Sequence, residues 1–217
     1  MTGITLYDFP KSSAAYRVRI GLGLKGLTWR TVPVDLASGA QRGADHRARN
    51  AQGLVPVLDI DGQRLTQSLA MLEYLDDTRP DPPFLPDAPR ARARARQIAH
   101  IIAMDIHPVN NSGVLAHVEA LTGGGEAARI EWMKHFMPKG LVGVEALLDA
   151  ARGGPFCVGP APTLADICLI PQVYNARRWG IDLAPFPQIR AVDRACADLP
   201  AFAAAHPDRV APQDGAG

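Results

Sequence analysis

The sequence lacks the features that would place it in several common classes of protein. No apolar run approaches the roughly 18 residues that a membrane-spanning helix needs, and the opening Met-Thr-Gly-Ile-Thr has no basic or apolar block of a secretory signal. Only three cysteines occur among 217 residues, at Cys157, Cys168 and Cys196. Their odd number and wide spacing argue against a disulfide framework or a cysteine metal site. We therefore expect a cytoplasmic protein with reduced thiols.

An excess of charge of one sign is also missing. Lys and Arg number 23 against 22 Asp and Glu, for a net charge of +1. Electrostatics therefore favours neither nucleic acid nor a membrane surface as a partner. Four arginines alternate with alanine at 90–96, which spreads them around a helix as a solvated face. The six histidines show no metal-ligand spacing, so we expect no metal.

The first 80 residues alternate patterns of strand and helix. Apolar and alternating runs predict strands at 4–7, 29–34, 57–60 and 63–65, and helical spacing predicts helices at 13–24 and from residue 67 to just before residue 80. One further helical turn is expected in the polar loop at 37–53. Asp61-Gly62 joins the last two strands as a hairpin turn. The order β-α-β-α-β-β-α predicts an α/β domain at 1–80 with a mixed four-stranded sheet.

The chain changes character after residue 80. Three prolines at 81–87 interrupt any helix or strand there, which predicts a linker. Helical patterns follow at 88–121, 126–151, 163–179 and 187–206. Thr163, with Asp166 three residues later, has the pattern of a helix-capping box. We therefore predict an all-α C-terminal domain at 88–217.

Lys11-Ser12-Ser13 stands between the first predicted strand and the first predicted helix. Either serine is expected to cap that helix, because a hydroxyl satisfies backbone N–H groups that the first turn leaves unpaired. The same N–H groups and the helix dipole favour a bound anion. If the anion is a thiolate, a nearby hydroxyl that donates to it lowers its pKa. Farther along, Arg17 is expected to reach solvent, and Gly26 to end the helix.

The pattern Ser-Ser-x-x-Tyr-Arg-Val-Arg-Ile-x-Leu at 12–22 resembles the active-site signature of zeta-class glutathione transferases, which include maleylacetoacetate and maleylpyruvate isomerases. The family usually has Cys and Ser where this chain has Ala14 and Ala15. The resemblance implies the glutathione transferase fold, with a thioredoxin-like domain at 1–80. It also implies glutathione as cofactor, with Ser12 or Ser13 donating to its sulfur. The resemblance further implies that Lys11 and Gln41 help to bind glutathione.

Two further dipeptides carry the resemblance. An X–Pro bond is cis in only about 5–6% of cases, but the family has a cis-proline where this chain has Val55-Pro56. That geometry lets the backbone of Val55 pair with an extended peptide ligand. Gln67-Ser68 starts the next helix, where a backbone N–H, a hydroxyl and an amide form a trap for a carboxylate. In the family this pair holds the γ-glutamyl end of glutathione; the alternative is a plain helix cap.

The helical half contains two more stretches of this kind. Asp-Ile-His-Pro-Val-Asn-Asn at 105–111 predicts a kink, because proline and asparagine are poor helix formers. His107 and Asn111 read alone suggest polar core contacts, whereas the resemblance implies contacts with glutathione. Maleylpyruvate isomerases can carry arginines at the two positions after Asn111, where this chain has Ser112 and Gly113. Farther on, Arg178 falls where the family has an arginine for the carboxylate of the substrate, with Arg177 as its solvent-exposed neighbour.

These features favour a glutathione-dependent cis–trans isomerase of a small maleyl-type diacid, in the catabolism of aromatic compounds. Conjugation or dehalogenation of electrophiles such as α-halo acids is the alternative, and a non-enzymatic binding protein is a third. Ala14 in place of the family's Cys makes reductive dehalogenation through a protein–glutathione disulfide less expected, whereas isomerisation needs only the sulfur of glutathione. The resemblance also implies a homodimer. The choice of diacid, and that between Ser12 and Ser13, stay open.

Overall fold

The computed structural model describes residues 3–151 and 153–210, with side chains for all of these except 149–151. The described chain forms two compact units. The first contains residues 3–82 together with 199–210, and the second contains residues 83–198. No helix in the described ranges is both long enough and apolar enough to cross a membrane.

A four-stranded mixed sheet forms the centre of the first unit. Its strands are β1 (Thr5–Asp8), β2 (Arg30–Pro33), β3 (Val57–Ile60) and β4 (Gln63–Leu65), in the spatial order β2-β1-β3-β4. β1 pairs in parallel with β2 and antiparallel with β3, which in turn pairs antiparallel with β4. The predicted mixed sheet is therefore confirmed. Proline is tolerated in β2 because that strand lies at an edge.

Three helices complete the predicted α/β order in the first unit. They are α1 (Ser13–Leu24), α2 (Ala44–Arg47) and α3 (Ser68–Thr78), with a 3₁₀ turn at Ala40–Arg42 before α2. α1 ends where expected, because Gly26 adopts a left-handed φ of 65° and its N–H donates to the carbonyl of Gly23 at 3.0 Å. The single helical turn expected between 37 and 53 is α2 with the 3₁₀ turn before it.

The second unit contains five helices in its described part, namely α4 (Pro89–His100), α5 (Ser112–Thr122), α6 (Gly125–Ala151), α7 (Leu164–Arg178) and α8 (Pro187–Ala197). The predicted helix at 88–121 is interrupted by a π-helical turn at Ile101–Ile106 and a 3₁₀ turn at Pro108–Asn110. Proline has no N–H for a helical hydrogen bond, so the break falls at the predicted kink.

The proline-rich segment at 81–87 has no regular secondary structure. Phe84 and Leu85 are nevertheless 1% and 9% exposed. The carbonyl of Phe84 also accepts a hydrogen bond from the N–H of Leu164 at 2.7 Å, at the start of α7. The second half of the segment is therefore packed into the second unit, while its exact boundaries as a linker stay a prediction.

Two short helices, α9 (Pro200–Ala205) and α10 (Pro207–Val210), belong to the first unit. A β-carbon added at Gly23 of α1 would lie 3.3 Å from that of Ala201, and Arg19 Nε donates to the carbonyl of Ala205 at 3.0 Å. The sequence pattern instead predicts that residues 200–206 continue a helix at 187–206 in the C-terminal domain. Periodicity predicts a helix but does not show what the helix packs against, so this placement could only come from tertiary contacts.

Candidate active site

Several of the predicted site segments meet at one end of the sheet, as the strand register requires. Tyr7 near the end of β1 is opposite Val57 at the start of β3, and Leu58 is opposite Leu65 at the end of β4. The segment after β1, the segment before β3 and the segment after β4 therefore leave the sheet at the same end. These segments carry the two serines, the Val-Pro pair and the Gln-Ser pair. Only the register of the sheet brings them together.

The two serines occupy the N-terminus of α1 in different environments. Ser12 is the N-cap, half-buried, and its Oγ accepts a hydrogen bond from the N–H of Ala15 at 3.2 Å. Ser13 is the first helical residue and is only 6% exposed. Because the Ser12 oxygen serves as an acceptor, its hydroxyl proton can point away from the helix toward a ligand. Capping the helix and donating to an anion are thus compatible roles for Ser12.

Gln67 and Ser68 begin α3 with an unusual backbone. Gln67, the N-cap, has a φ of 68°, a left-handed value that few residues other than glycine adopt and that costs of order 1–3 kcal/mol. Its side-chain Nε2 donates to Oε1 of Gln52 at 2.9 Å. Ser68 is 7% exposed at the first position of the helix, where the backbone N–H groups have no acceptor within the helix. This backbone geometry suits the capture of an anion.

Arg17 reaches this helix start, and the prediction that it faces solvent is wrong. The residue is 1% exposed, and its Nη1 donates to Oγ of Ser68 at 3.2 Å. All residues of α1 from Ser13 to Leu22 are buried, because α1 packs against both α3 and α9 and has no solvent face over this length. Nothing in the local sequence signals the contact, since the two residues are 51 positions apart.

Arg19, on the same helix, is also 1% exposed but forms a structural ion pair. Its Nη1 lies 2.7 Å and 2.8 Å from the two carboxylate oxygens of Asp8, and its Nη2 donates to the carbonyl of Pro10 at 2.9 Å. Burial raises the pKa of Asp8, while the charge of Arg19 opposes that rise. Arg19 thus ties the end of β1 to α1 and holds the turn that presents Ser12.

Sequence reasoning also missed the residues that hold the segment before β3. The Val55–Pro56 peptide bond is cis, as the resemblance implied. The carbonyl of Leu54 just before it accepts two hydrogen bonds at 2.9 Å, from Nε2 of His46 and Nδ2 of Asn50. His46 therefore carries a proton on Nε2, because a carbonyl can only accept.

Gln41 lies close to this segment and offers a buried acceptor. A β-carbon added at Gly53 would lie 3.0 Å from the carbonyl oxygen of Gln41, and Gly53 has a left-handed φ of 64°, so glycine permits the close approach. The Gln41 side chain is 8% exposed, and its Oε1 has no hydrogen-bond partner among the described residues. A buried amide oxygen of this kind suits an N–H group of a ligand.

Lys11 is exposed at the turn before α1.

In the second unit, the asparagines of the 105–111 stretch hold the backbone at the helix break. Asn110 is 7% exposed, and its Nδ2 donates to the carbonyl of Ile106 at 2.8 Å. Asn111 is the N-cap of α5, with its Oδ1 accepting from the N–H of Gly113 at 2.9 Å. The backbone N–H of His107 closes the π-helical turn on the carbonyl of Ile102 at 2.9 Å. Contacts of His107 and Asn111 with glutathione stay a prediction.

The two arginines at the end of α7 have different surroundings. Arg177 is exposed and forms an ion pair with Asp193 of α8. Arg178 is also exposed, and its guanidinium carbon lies 5.4 Å from the centroid of the Trp179 ring. Arg178 has no ion pair within 3–151 or 153–210. Of the two, Arg178 is therefore the one whose guanidinium remains available for an anion.

All three thiols of the chain lie in the second unit. Cys157, Cys168 and Cys196 are buried and form no disulfide within the described ranges. Burial, followed by the nearby charge of Asp166, raises the pKa of Cys157 and of Cys196. The first unit thus has no thiol beside Ser12. Over the ranges that the structure describes, no three His, Cys, Asp or Glu side chains are placed to share a metal ion.

Taken together, the groups at this end of the first unit fit a tripeptide thiol of the kind that the sequence resemblance implies. A hydroxyl at the N-terminus of α1 suits a thiolate. The N-terminus of α3 suits a carboxylate, and the buried Oε1 of Gln41 suits an amide N–H. The site is therefore complementary to an extended ligand with an anionic end and a sulfur.

Comparison with known proteins agrees with this fit. Residues 11–78 match the family model described as the N-terminal domain of glutathione S-transferase. A maleylacetoacetate isomerase of Rhizobium meliloti (strain 1021) is 58% identical over 207 residues, covering 95% of this chain and 97% of the relative. The holo structure of a zeta-class bacterial maleylpyruvate isomerase superposes with a TM-score of 0.94 at 40% identity, covering 96% and 99% of the two chains. A maleylacetoacetate isomerase from Anaeromyxobacter dehalogenans 2CP-1 with bound glutathione has a TM-score of 0.87 at 43% identity, with 97% of each chain covered.

Proposed function

The chain belongs to the maleylacetoacetate and maleylpyruvate isomerases of the zeta-class glutathione transferases, and we propose that it isomerises a maleyl-type diacid to its fumaryl form with glutathione as cofactor. Its proposed place is the catabolism of aromatic compounds. The observation that carries the proposal is the meeting of the N-termini of α1 and α3 at one end of the sheet, with the Ser12 hydroxyl on the first and Ser68 on the second.

Glutathione, when bound, supplies a nucleophilic sulfur that adds reversibly to the double bond and so permits rotation. The Ser12 hydroxyl donates a hydrogen bond to that sulfur and so favours the thiolate. Ser68 and Gln67 hold the γ-glutamyl carboxylate at the start of α3. The backbone of Val55, followed by cis-Pro56, pairs with the peptide part of the ligand.

Other residues of the chain serve the remaining groups. Gln41 accepts from an amide N–H of glutathione through its buried Oε1. His107 and Asn111 are further glutathione contacts, a proposal that rests on the sequence motif. Arg178 engages a carboxylate of the diacid through its planar guanidinium. Lys11 adds positive potential for a dianion, which helps to stabilise the charge that develops during addition.

We favour maleylacetoacetate over maleylpyruvate as the substrate. The relative that is 58% identical over 95% of this chain is a maleylacetoacetate isomerase. The chain also has Ser112 and Gly113 where maleylpyruvate isomerases can carry arginines. Reductive dehalogenation through a mixed disulfide is not favoured, because Ala14 replaces the thiol and every cysteine is buried in the second unit.

The test is the ultraviolet absorbance of maleylacetoacetate and of maleylpyruvate with purified protein, with and without glutathione. Glutathione-dependent conversion of maleylacetoacetate, with less or no conversion of maleylpyruvate, is the expected result. Ser12→Ala should lower kcat roughly 100-fold or more by removing a donor to the developing charge. Ser13→Ala, at the adjacent buried position, is the matched control and should keep most of the activity. Full activity in both variants would rule out the serine mechanism.

We also propose a homodimer, which the family resemblance supports. Size-exclusion chromatography with light scattering should give twice the chain mass of 23.2 kDa. A single species at the mass of one chain over the micromolar range would reject it.

A further inference from the structure

We propose that Arg17 is a positioning residue for the anionic end of glutathione, acting through the hydroxyl of Ser68. The inference rests on the proposed function and extends it to a residue that neither the sequence motif nor the expected contacts assign. Arg17 directs the proton of Ser68 toward the ligand carboxylate and strengthens the hydroxyl as a donor. It thereby contributes to the selection of a ligand whose γ-glutamyl end carries a carboxylate.

The direction of the hydrogen bond is settled by chemistry. A guanidinium has donors but no acceptor, so the 3.2 Å contact between Arg17 Nη1 and Ser68 Oγ makes the serine oxygen the acceptor. A hydroxyl has one proton and two lone pairs, and here one lone pair is committed to Arg17. The Ser68 proton must therefore point away from Arg17. Without this bond the hydroxyl could rotate and would offer its proton to the ligand for only part of the time.

The hydrogen bond between Arg17 and Ser68 is also buried, which strengthens its electrostatic effect on a ligand. Arg17 is 1% exposed and Ser68 is 7% exposed, so water does little to screen the interaction. A hydroxyl that accepts from a cation is polarised and becomes a stronger donor in turn. Ser68 is the first residue of α3, so its donor adds to the positive end of the helix dipole. Hydroxyl, helix N-terminus and guanidinium thus favour the same charge on a ligand.

The neighbouring arginine shows what a purely structural role looks like on this helix. Arg19 is equally buried, but its guanidinium binds the carboxylate of Asp8 at 2.7 Å and 2.8 Å. Arg17 is directed instead to the residue that starts the carboxylate-binding helix. A structural cross-link between α1 and α3 would affect stability and all ligands alike. A positioning role distinguishes ligands with the carboxylate from ligands without it.

The experiment measures binding, which does not depend on turnover. Isothermal titration calorimetry would compare glutathione with an analogue in which the γ-glutamyl α-carboxylate is replaced by a carboxamide. Arg17→Met should weaken glutathione binding roughly tenfold to a hundredfold and analogue binding less than about threefold, because only the carboxylate uses the polarised donor. Arg17→Lys should retain part of the preference. Arg64→Met, which removes an exposed guanidinium in the same unit, should leave both affinities unchanged.

Ser68→Ala provides the coupling test. In that background Arg17→Met should no longer change the ratio of the two affinities, because the hydroxyl through which Arg17 acts is gone. An equal loss for both ligands in Arg17→Met, or the same change of the ratio with Ser68→Ala as without it, would overturn the inference while leaving the proposed function intact. Failure of the wild-type protein to bind glutathione would overturn both. If Arg17→Met does not fold, the Arg17→Lys cycle with Ser68→Ala gives the same comparison.

Discussion

Two glycines of α6 give a paired test of how closely this helix packs on the break between α4 and α5. A β-carbon added at Gly140 would lie 2.2 Å from Cγ1 and 2.6 Å from Cδ1 of Ile106, the last residue of the π-helical turn. A β-carbon added at Gly143, one turn farther along, would meet Cδ1 of Ile101 at 3.9 Å, an ordinary contact. The two positions share a helix but differ in free space.

The expected magnitudes follow from this difference. Replacing glycine with alanine inside a helix contributes about 0.8–1.0 kcal/mol of stability. Gly143→Ala should therefore raise the free energy of unfolding by up to about 1 kcal/mol. Gly140→Ala has the same helical gain but forces overlap with a β-branched side chain in a packed core, which costs about 1–3 kcal/mol. Because the helical term is common to both, the difference between the variants isolates the packing penalty.

The assay is urea unfolding followed by far-ultraviolet circular dichroism, together with thermal unfolding. At about 2–4 °C per kcal/mol for a chain of this size, Gly143→Ala should melt roughly 2–12 °C above Gly140→Ala. In an Ile106→Ala background, Gly140→Ala should be less destabilising than in the wild-type protein, since the atoms that the new methyl group meets are gone. Equal stability of the two single variants, or no coupling with Ile106, would refute the close packing described here.

Further predictions concern Arg178, the proposed contact of the substrate carboxylate, and the start of α7. Arg178→Met should raise the KM for the diacid at least tenfold in the isomerase assay, whereas Arg177→Met, which loses only a surface ion pair with Asp193, should leave it within twofold. Thr163→Ala should lower the free energy of unfolding by roughly 0.5–2 kcal/mol in urea, because the hydroxyl that donates to Asp166 Oδ2 at 2.9 Å is lost. Burial raises the pKa of Asp166 above its ordinary 3.8, so its contribution to stability is complete below pH 3.8 and is lost as pH rises through the folded-state pKa. Between pH 3.8 and the folded-state pKa, the melting temperature of Asp166→Asn should accordingly fall less steeply with rising pH than that of the wild-type protein. Parallel curves for the variant and the wild type would contradict this reasoning.

The elements that the sequence predicted well are those with a local cause. The hairpin between β3 and β4 turns at Asp61 and Gly62, whose φ values of 52° and 77° are those that an Asp-Gly pair readily adopts. The same holds for the capping of α1, where the Ser12 hydroxyl accepts from an N–H three residues away. The helix at 187–206 was less well predicted, because Pro200 starts a new helix that packs in the other unit.

By itself, then, the sequence determined the strand and helix order of the first 80 residues and the caps and turns, each of which depends on neighbours within a few positions along the chain. The resemblance to the zeta-class family pointed to the motif residues at Ser12, Val55-Pro56 and Gln67-Ser68. Only the tertiary structure decided that the three motifs share one end of the sheet, since that follows from the strand register. It also decided that Arg17 is buried against Ser68, 51 positions away, because packing on both sides of α1 leaves that helix no face in water.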